Sequence, residues 1–364
     1  MKKERKALIV LNKKMVDLYD PHSILITGCA GFIGSALTCY LVQKYPSIRF
    51  VGLDLLLYSG NLKNLDAIHN APNFDFVKGD ITSSDLVNYL IKEHRIDTIM
   101  HLAAESSVDA SFHNSAAFIH SNVLGTHALL EAARLFKEQI KRFVHTSTDE
   151  VWGSCGEDDP RCTYKTPFNP CNPYSASKAG GDCLVMAYSR SFQIPCVTVR
   201  PSNAMGERQH PEKFIPKCIH LLARKLPIPL HGTGLNRRSF LYVGDLVKAF
   251  ELVLFRGRIG TIYPVSPRFD VTNKQVAEKL IDLFGGAADQ IVYTVDRAFN
   301  DEKYHIDPTE IEELGWTAET SFDDALIRTK QWYLDNMDHW ENTDHWLTAH
   351  PGALTPSPSQ FLKS

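Results

Sequence analysis

The sequence predicts an α/β protein, a doubly wound parallel sheet with a smaller, interleaved C-terminal domain. Short apolar strand patterns alternate with helical patterns over the first 200 residues. Such alternation builds a parallel sheet with helices on both faces. A glycine-rich turn, Gly28-Cys29-Ala30-Gly31-Phe32-Ile33-Gly34, joins the first strand to the first helix. Beyond about residue 200 the turn formers crowd together (Pro211, Pro216, Pro227, Pro229, Gly232, Gly234). They mark shorter elements covering one mouth of the sheet.

Residues 1–21 read as an extension closed by Asp20-Pro21, and the Lys2-Lys3-Glu4-Arg5-Lys6 run as a solvated tail. Ser23–Thr27 is a strand, Phe32–Tyr45 a helix, Arg49–Asp54 a second strand and Phe74–Lys78 a third. A helix over Leu86–Glu93 leads to a fourth strand, Asp97–Leu102. One long helix, Ala116–Lys137, precedes a fifth strand, Arg142–Thr146. Gly153–Asn172 is a loop, Ala176–Phe192 a helix and Cys196–Arg200 a strand. The division expected is 22–200 for the cofactor-binding domain, with later segments returning to it, 201–340 mainly for substrate, and 341–364 as a tail.

With 44% hydrophobic residues the chain can bury a large core. A net charge of -3 gives no reason to expect a nucleic acid partner. No apolar run reaches membrane-spanning length, and Ala7–Leu11 is too short for a signal-peptide core. The eight cysteines form no Cys-x-x-Cys. Cys155, Cys162 and Cys171 cluster in the loop without His at ligand spacing, so no metal is expected. A reduced, cytoplasmic setting is expected.

Gly28, Gly31 and Gly34 let the backbone approach a pyrophosphate at a helix N-terminus. Asp54 follows twenty residues after Gly34, at the end of the second strand. There a carboxylate accepts the ribose 2'-OH and repels a 2'-phosphate, which favours NAD over NADP. Gly79-Asp80-Ile81 and Leu102-Ala103-Ala104 follow the third and fourth strands, at the ligand edge. Asp80 reads equally as an adenine contact or a turn Asp.

Tyr174 and Lys178 are four apart and share a helix face. An ammonium and a positive nicotinamide lower a phenol that is otherwise a poor base. Thr148-Asp149-Glu150 follows the fifth strand directly. In a regular strand the two carboxylates face opposite sides, so to act together they must sit where the strand breaks, and Gly153 makes such a turn plausible. An acid and a base beside a hydride site exceed what a simple dehydrogenase needs. They point to removal of water from an oxidised sugar.

The segments T-G-x-x-G-F-I-G, H-L-A-A-E-S, S-T-D-E-V, N-P-Y-S-A-S-K, P-E-K-F-I-P, H-G-T-G-L-N-R-R-S-F-L-Y-V and E-L-G-W resemble the extended short-chain dehydrogenase/reductase family, and within it the nucleotide-sugar 4,6-dehydratases. The resemblance implies that Tyr174 takes the C4 hydroxyl proton, helped by Thr148, and that Lys178 tunes Tyr174 and binds the cofactor ribose. It implies that Glu150 removes the C5 proton and Asp149 protonates the departing C6 hydroxyl. Asp149 must then titrate roughly 2–3 pH units above its usual range. The resemblance adds Phe32, Ile33, Ile81 and Ser121 to the cofactor contacts. For the substrate it implies Ser106, Thr148, Asn203, Lys213, Arg238, Arg297 and Tyr304. Arg237 and Arg238 cannot both point inward from one strand, and the match favours Arg238.

Trp152, Ser107, Met205, Glu207, Pro264 and Lys303 depart from the family pattern. Pro264 stands where an Asn usually touches the nucleotide, so it and Glu207 put the nucleoside pocket in question. The expected substrate is UDP-glucose, with dTDP-glucose as the alternative. A nucleotide-sugar epimerase or decarboxylase and a non-catalytic NAD-binding scaffold are further readings. The resemblance also implies a homodimer built on Ala116–Lys137 and Ala176–Phe192, whose apolar stretches could equally pack on the sheet. A separate epimerase/reductase partner is expected to complete a 6-deoxyhexose such as rhamnose.

Overall fold

The computed structural model describes residues 19–156, 159–296 and 301–347. β1 (Ser23–Thr27), α1 (Phe32–Lys44), β2 (Arg49–Asp54), β3 (Phe74–Lys78), α2 (Ser84–Glu93) and β4 (Thr98–His101) come first. α3 (Val108–His113), α4 (Ser115–Phe118), a π-helical turn (Ile119–Leu124) and α5 (Gly125–Leu135) precede β5 (Arg142–Thr146). α6 (Pro173–Ser191), β6 (Cys196–Pro201), β7 (Ala204–Met205), α7 (Phe214–Ala223), β8 (Ile228–His231) and β9 (Arg237–Arg238) follow. Next are β10 (Leu241–Tyr242), α8 (Val243–Arg256), β11 (Ile262–Val265), β12 (Val271–Thr272), α9 (Asn273–Leu283) and β13 (Ile291–Thr294). α10 (Thr309–Glu313), α11 (Phe322–Asp335) and α12 (Thr343–Leu347) are last. Of the expected extension and tail, 19–21 and 341–347 fall among the described residues.

Seven strands pair in parallel in the order β11-β6-β5-β4-β1-β2-β3. The strand order reverses between β1 and β4, the switch point where a doubly wound (Rossmann) sheet opens its ligand crevice. Ile24 and Ile26 pack with Leu37, Leu41, Leu246 and Val253 of α1 and α8. Leu25, Val51, Leu53 and Ile99 pack on the opposite face with Leu90, Leu129 and Val185 of α2, α5 and α6. Burial on both faces explains the unbroken apolar runs of the strands, and each such side chain contributes roughly 1.5–3 kcal/mol.

The C-terminal part is interleaved, as expected. α8, Tyr263 of β11, Ile311 and Trp316 return to the sheet, where the Trp316 indole donates to the Asp245 carbonyl at 2.9 Å. Met205, Ile215, Leu222, Leu230, Leu280, Phe322 and Tyr333 build a separate core. Among the described residues no helix is long and apolar enough to cross a membrane.

Two expectations are corrected. The single helix over Ala116–Lys137 is broken by the π-helical turn. The side chain of Asn122 within it brackets the backbone of Glu105, accepting from its N–H at 2.9 Å and donating to its carbonyl at 3.0 Å. A Cβ on Gly181 would lie 2.9 Å from the Asn122 carbonyl, so α6 crosses this turn in close contact. The apolar pairs Leu129-Leu130 and Ala132-Ala133 pack on the sheet. Pro264 lies on the edge strand β11, opposite Arg200, and lines neither cavity described below. The Thr261 and Val265 carbonyls accept from Thr198 and Ser202 at 3.0 and 2.9 Å. By alternation the Pro264 nitrogen faces away from β6.

Candidate active site

The loops after β1, β2, β3, β4 and β5 surround a cavity of about 300 Å³. It is lined by Gly28, Gly31, Phe32, Ile33, Gly34, Asp54, Asp80, Ile81, Leu102, Ala103, Ala104, Ser121, Tyr174 and Lys178. Every residue expected to hold a dinucleotide therefore meets here, and Ser121 arrives on the π-helical turn. Asp54 accepts from the Ala30 and Leu56 amides at 2.9 and 2.8 Å. It fixes the glycine loop while each oxygen keeps a second lone pair for a ribose hydroxyl. Asp80 does accept from Thr82 N at 2.8 Å, as a turn Asp would, and still lines the cavity.

A Cβ on Gly34 would sit 1.9 Å from the Gly28 carbonyl oxygen. Gly34→Ala is expected to destabilise the fold by roughly 2–4 kcal/mol and to weaken dinucleotide binding. Thermal unfolding and cofactor titration measure both, and an unchanged melting temperature would contradict the close approach.

The turn after β5 is what brings the two carboxylates together. Thr148 is the extended N-cap of a one-turn 3₁₀ helix, Asp149–Trp152, and its hydroxyl accepts from Glu150 N at 3.4 Å. Gly153 ends that turn at φ +76°, where a Cβ would lie 2.2 Å from the Asn169 carbonyl. Thr148, Asp149 and Glu150 all line the cavity. α6 starts earlier than the sequence suggested. Asn172 and Ser175 form a reciprocal cap and Pro173 opens the helix, so both Tyr174 and Lys178 are helical. Asn172 also donates to Glu150 Oε2 at 3.4 Å, joining the base to the helix that carries Tyr174.

Burial pushes the Asp149 carboxyl up to about 8, and the Glu150 charge adds to the rise. Its Oδ2 is buried without a hydrogen-bond partner, as suits an acid poised to act on a ligand. Burial raises Glu150 as well, opposed chiefly by the Arg238 guanidinium. Tyr174 departs from expectation. Burial and the Glu150 charge raise its phenol, with the Thr148 hydroxyl opposing. The Lys178 ammonium on the next turn of α6 donates to the Thr146 carbonyl at 2.7 Å. Burial lowers Lys178 itself to about 8, opposed by Asp182.

A second cavity, of about 200 Å³, adjoins the first. Ser106, Glu150, Asn203 and Lys213 line both, and Arg238 and Tyr304 line the second. Lys213 donates to the Ser106 carbonyl at 2.8 Å. Asn203 Oδ1 is buried without a partner. Arg238 lies over the Tyr304 ring at 4.8 Å and donates to the Asp301 carbonyl at 2.9 Å. Arg237 turns the other way and pairs with Asp270. Arg297 lies outside the described residues.

The departures have structural partners. Trp152 stacks with Arg200 at 4.5 Å, Met205 is core and Glu207 accepts from the Tyr242 hydroxyl at 2.8 Å. Ser107 caps α3, and Lys303 pairs with Asp270 at 3.6 Å.

Sequence reasoning missed several residues here. Glu105, Gln209, His210 and Glu212 line the larger cavity; Glu105 and Glu212 stand inside the H-L-A-A-E-S and P-E-K-F-I-P segments, while Gln209 and His210 only precede the second. Asp182 accepts from Ser147 at 2.7 Å and bonds His145 at 2.9 Å and Arg200, fastening α6 to β5 and β6 beneath the site. Its place one turn after Lys178 was a readable hint.

A family profile described as GDP-mannose 4,6 dehydratase matches residues 25–329. The chain belongs to this family. A trifunctional UDP-glucose 4,6-dehydratase/3,5-epimerase/reductase of Arabidopsis thaliana is 46% identical over 92% of the chain and 50% of its own length. The chain thus spans about half the length of that relative. A dTDP-D-glucose 4,6-dehydratase of Dictyostelium discoideum is 37% identical over 88% of the chain and 83% of its own length. The crystal structure of the dTDP-glucose 4,6-dehydratase DesIV from Streptomyces venezuelae, with NAD and TYD bound, superposes with a TM-score of 0.84. It is 37% identical and covers 88% of this chain and 99% of its own. Within the family the segments carrying Thr148–Glu150 and Tyr174–Lys178 fall inside the matched span.

Proposed function

We propose that this chain catalyses the NAD-dependent 4,6-dehydration of a nucleoside-diphosphate glucose, with UDP-glucose preferred, giving the 4-keto-6-deoxy sugar. The observation that carries the reading is a buried acid held protonated near neutrality, Asp149, beside a base and a Tyr/Lys pair in one cavity. The residues present fit the cofactor: a glycine-lined cradle at the start of α1 and a carboxylate, Asp54, at the end of β2. NAD, when bound, supplies a hydride acceptor for C4 and the hydride returned to C6.

Tyr174 takes the proton of the C4 hydroxyl while Thr148 holds that oxygen. Burial and Glu150 raise the phenol, so its activation falls to the positive charges of Lys178 and of the bound nicotinamide. The C4 ketone acidifies the C5 hydrogen, which Glu150 removes, and Asp149 gives its proton to the leaving C6 hydroxyl. Protonation at C5 by Glu150 completes the product. Ser106, Asn203, Lys213, Arg238 and Tyr304, with Arg297, hold the nucleoside diphosphate, for which a guanidinium fork is suited.

Residues 22–200 serve the cofactor and 201–340 mainly the substrate. Ile119, Leu124, Leu135 and Phe192 are 48%, 50%, 66% and 42% exposed on α5, α6 and their flanks, which supports a homodimer there. Free thiols at all eight cysteines support a cytoplasmic setting. A separate epimerase/reductase partner would carry the product toward a 6-deoxyhexose such as rhamnose.

The deciding experiment incubates the purified protein with UDP-glucose and dTDP-glucose side by side and follows the 4-keto-6-deoxy sugar by NMR. Turnover of UDP-glucose is expected to exceed that of dTDP-glucose. The reverse order would overturn the nucleotide preference, and no keto sugar from either would overturn the reaction.

A further inference from the structure

The loop between the catalytic turn and α6 carries two thiols that the proposed reaction leaves unused. Cys155 and Cys162 are 8% and 6% exposed, and their sulfurs lie 3.4 Å apart. They pack against Val151, Trp152, Ala179 and Ile306. Both also hold the segment that supplies Tyr304. Cys155 N donates to the Lys303 carbonyl at 2.9 Å, Cys162 N to the His305 carbonyl at 2.5 Å, and Asp307 N to the Cys162 carbonyl at 2.9 Å. The two cysteines thus grip the backbone on either side of Tyr304, whose hydroxyl donates to Asp301 at 2.5 Å in the substrate cavity.

We propose that Cys155 and Cys162 form a thiol–disulfide site, oxidised by low-molecular-weight disulfides, whose closure fastens the Tyr304 segment to the catalytic loop. Closing it shortens the sulfur separation from 3.4 Å to about 2.05 Å. The exchange balances. The Cys155 thiolate, next to exposed Gly156, attacks one sulfur of the small disulfide and releases one thiol. The Cys162 thiolate then displaces the second, leaving a protein disulfide and two reduced small thiols, each holding one of the protons the cysteines lost. Burial and the neighbouring Cys155 push the Cys162 thiol up to about 12. Exchange is therefore slow at neutral pH, and the site responds to sustained oxidation rather than to a brief pulse.

The test needs no turnover, so it stands apart from the substrate reading. The full chain is equilibrated with reduced and oxidised glutathione, acid-quenched, alkylated and mapped by mass spectrometry. Amide hydrogen exchange is followed over residues 302–306. A single dithiothreitol-reversible link between Cys155 and Cys162 is expected, with Cys29, Cys39, Cys196 and Cys218 still alkylatable. Exchange in the Tyr304 segment is expected to slow by about tenfold or more. Cys155→Ser and Cys155→Ala should both lose the link and the exchange response. A link through other cysteines, only glutathione adducts on Cys171 or Cys183, or a 155–162 link that leaves exchange unchanged would overturn the proposal.

Discussion

Glu150→Gln is expected to abolish incorporation of solvent deuterium at C5 and to cut turnover by about 10³-fold or more. The amide keeps the shape and its partner Asn172 but cannot accept the proton. It also removes the charge that raises both Asp149 and Tyr174, so the first oxidation at C4 should survive. A single-turnover experiment should therefore show reduced cofactor building up without any 4-keto-6-deoxy sugar. Normal deuterium wash-in at C5 would sink the assignment of Glu150 as the base.

Asp149→Asn is expected to slow elimination by about 10²–10⁴-fold with little change in C5 exchange. The wild-type rate should fall as pH rises through about 8, where Asp149 loses its proton and Lys178 its charge. Stability carries the same signature. A carboxyl whose folded pKa lies above its unfolded value keeps its proton longer in the folded chain. Its charging therefore costs stability progressively from about pH 4 to about pH 8. The neutral amide avoids that cost, so the variant should be more stable than wild type by roughly 1–3 kcal/mol at pH 7.5. The gap should close toward pH 4, and denaturant melts at both pH values measure it. A variant less stable at pH 7.5 would mean that Asp149 is charged and compensated in the folded chain.

Much of the site was legible because its residues are bound to local geometry. Gly28, Gly31 and Gly34 announce a backbone that must approach a ligand, and Asp54 marks the end of the next strand. Thr148–Glu150 required a broken strand, and Gly153 supplies it. Asn172-Pro173 is an N-cap followed by a proline at the first helical position. That signal places the start of α6 before Tyr174, earlier than hydrophobic periodicity did. The π-helical turn was not readable, because Asn122 meets Glu105 and Gly181 only in the folded chain. The same holds for the raised phenol of Tyr174, since burial and a carboxylate from another element decide it. Pro264 misled for a related reason: a family position gives a neighbourhood, whereas strand pairing decides which way the residue faces.

That proline has a bearing on assembly. A parallel sheet offers its last strand to any extended peptide with backbone groups to share. At Pro264 the outward nitrogen of β11 has no hydrogen to give, so a strand from another molecule finds a gap in the ladder. The sheet is thereby blunted against edge-to-edge aggregation on the β11 side, and β3 is its other edge.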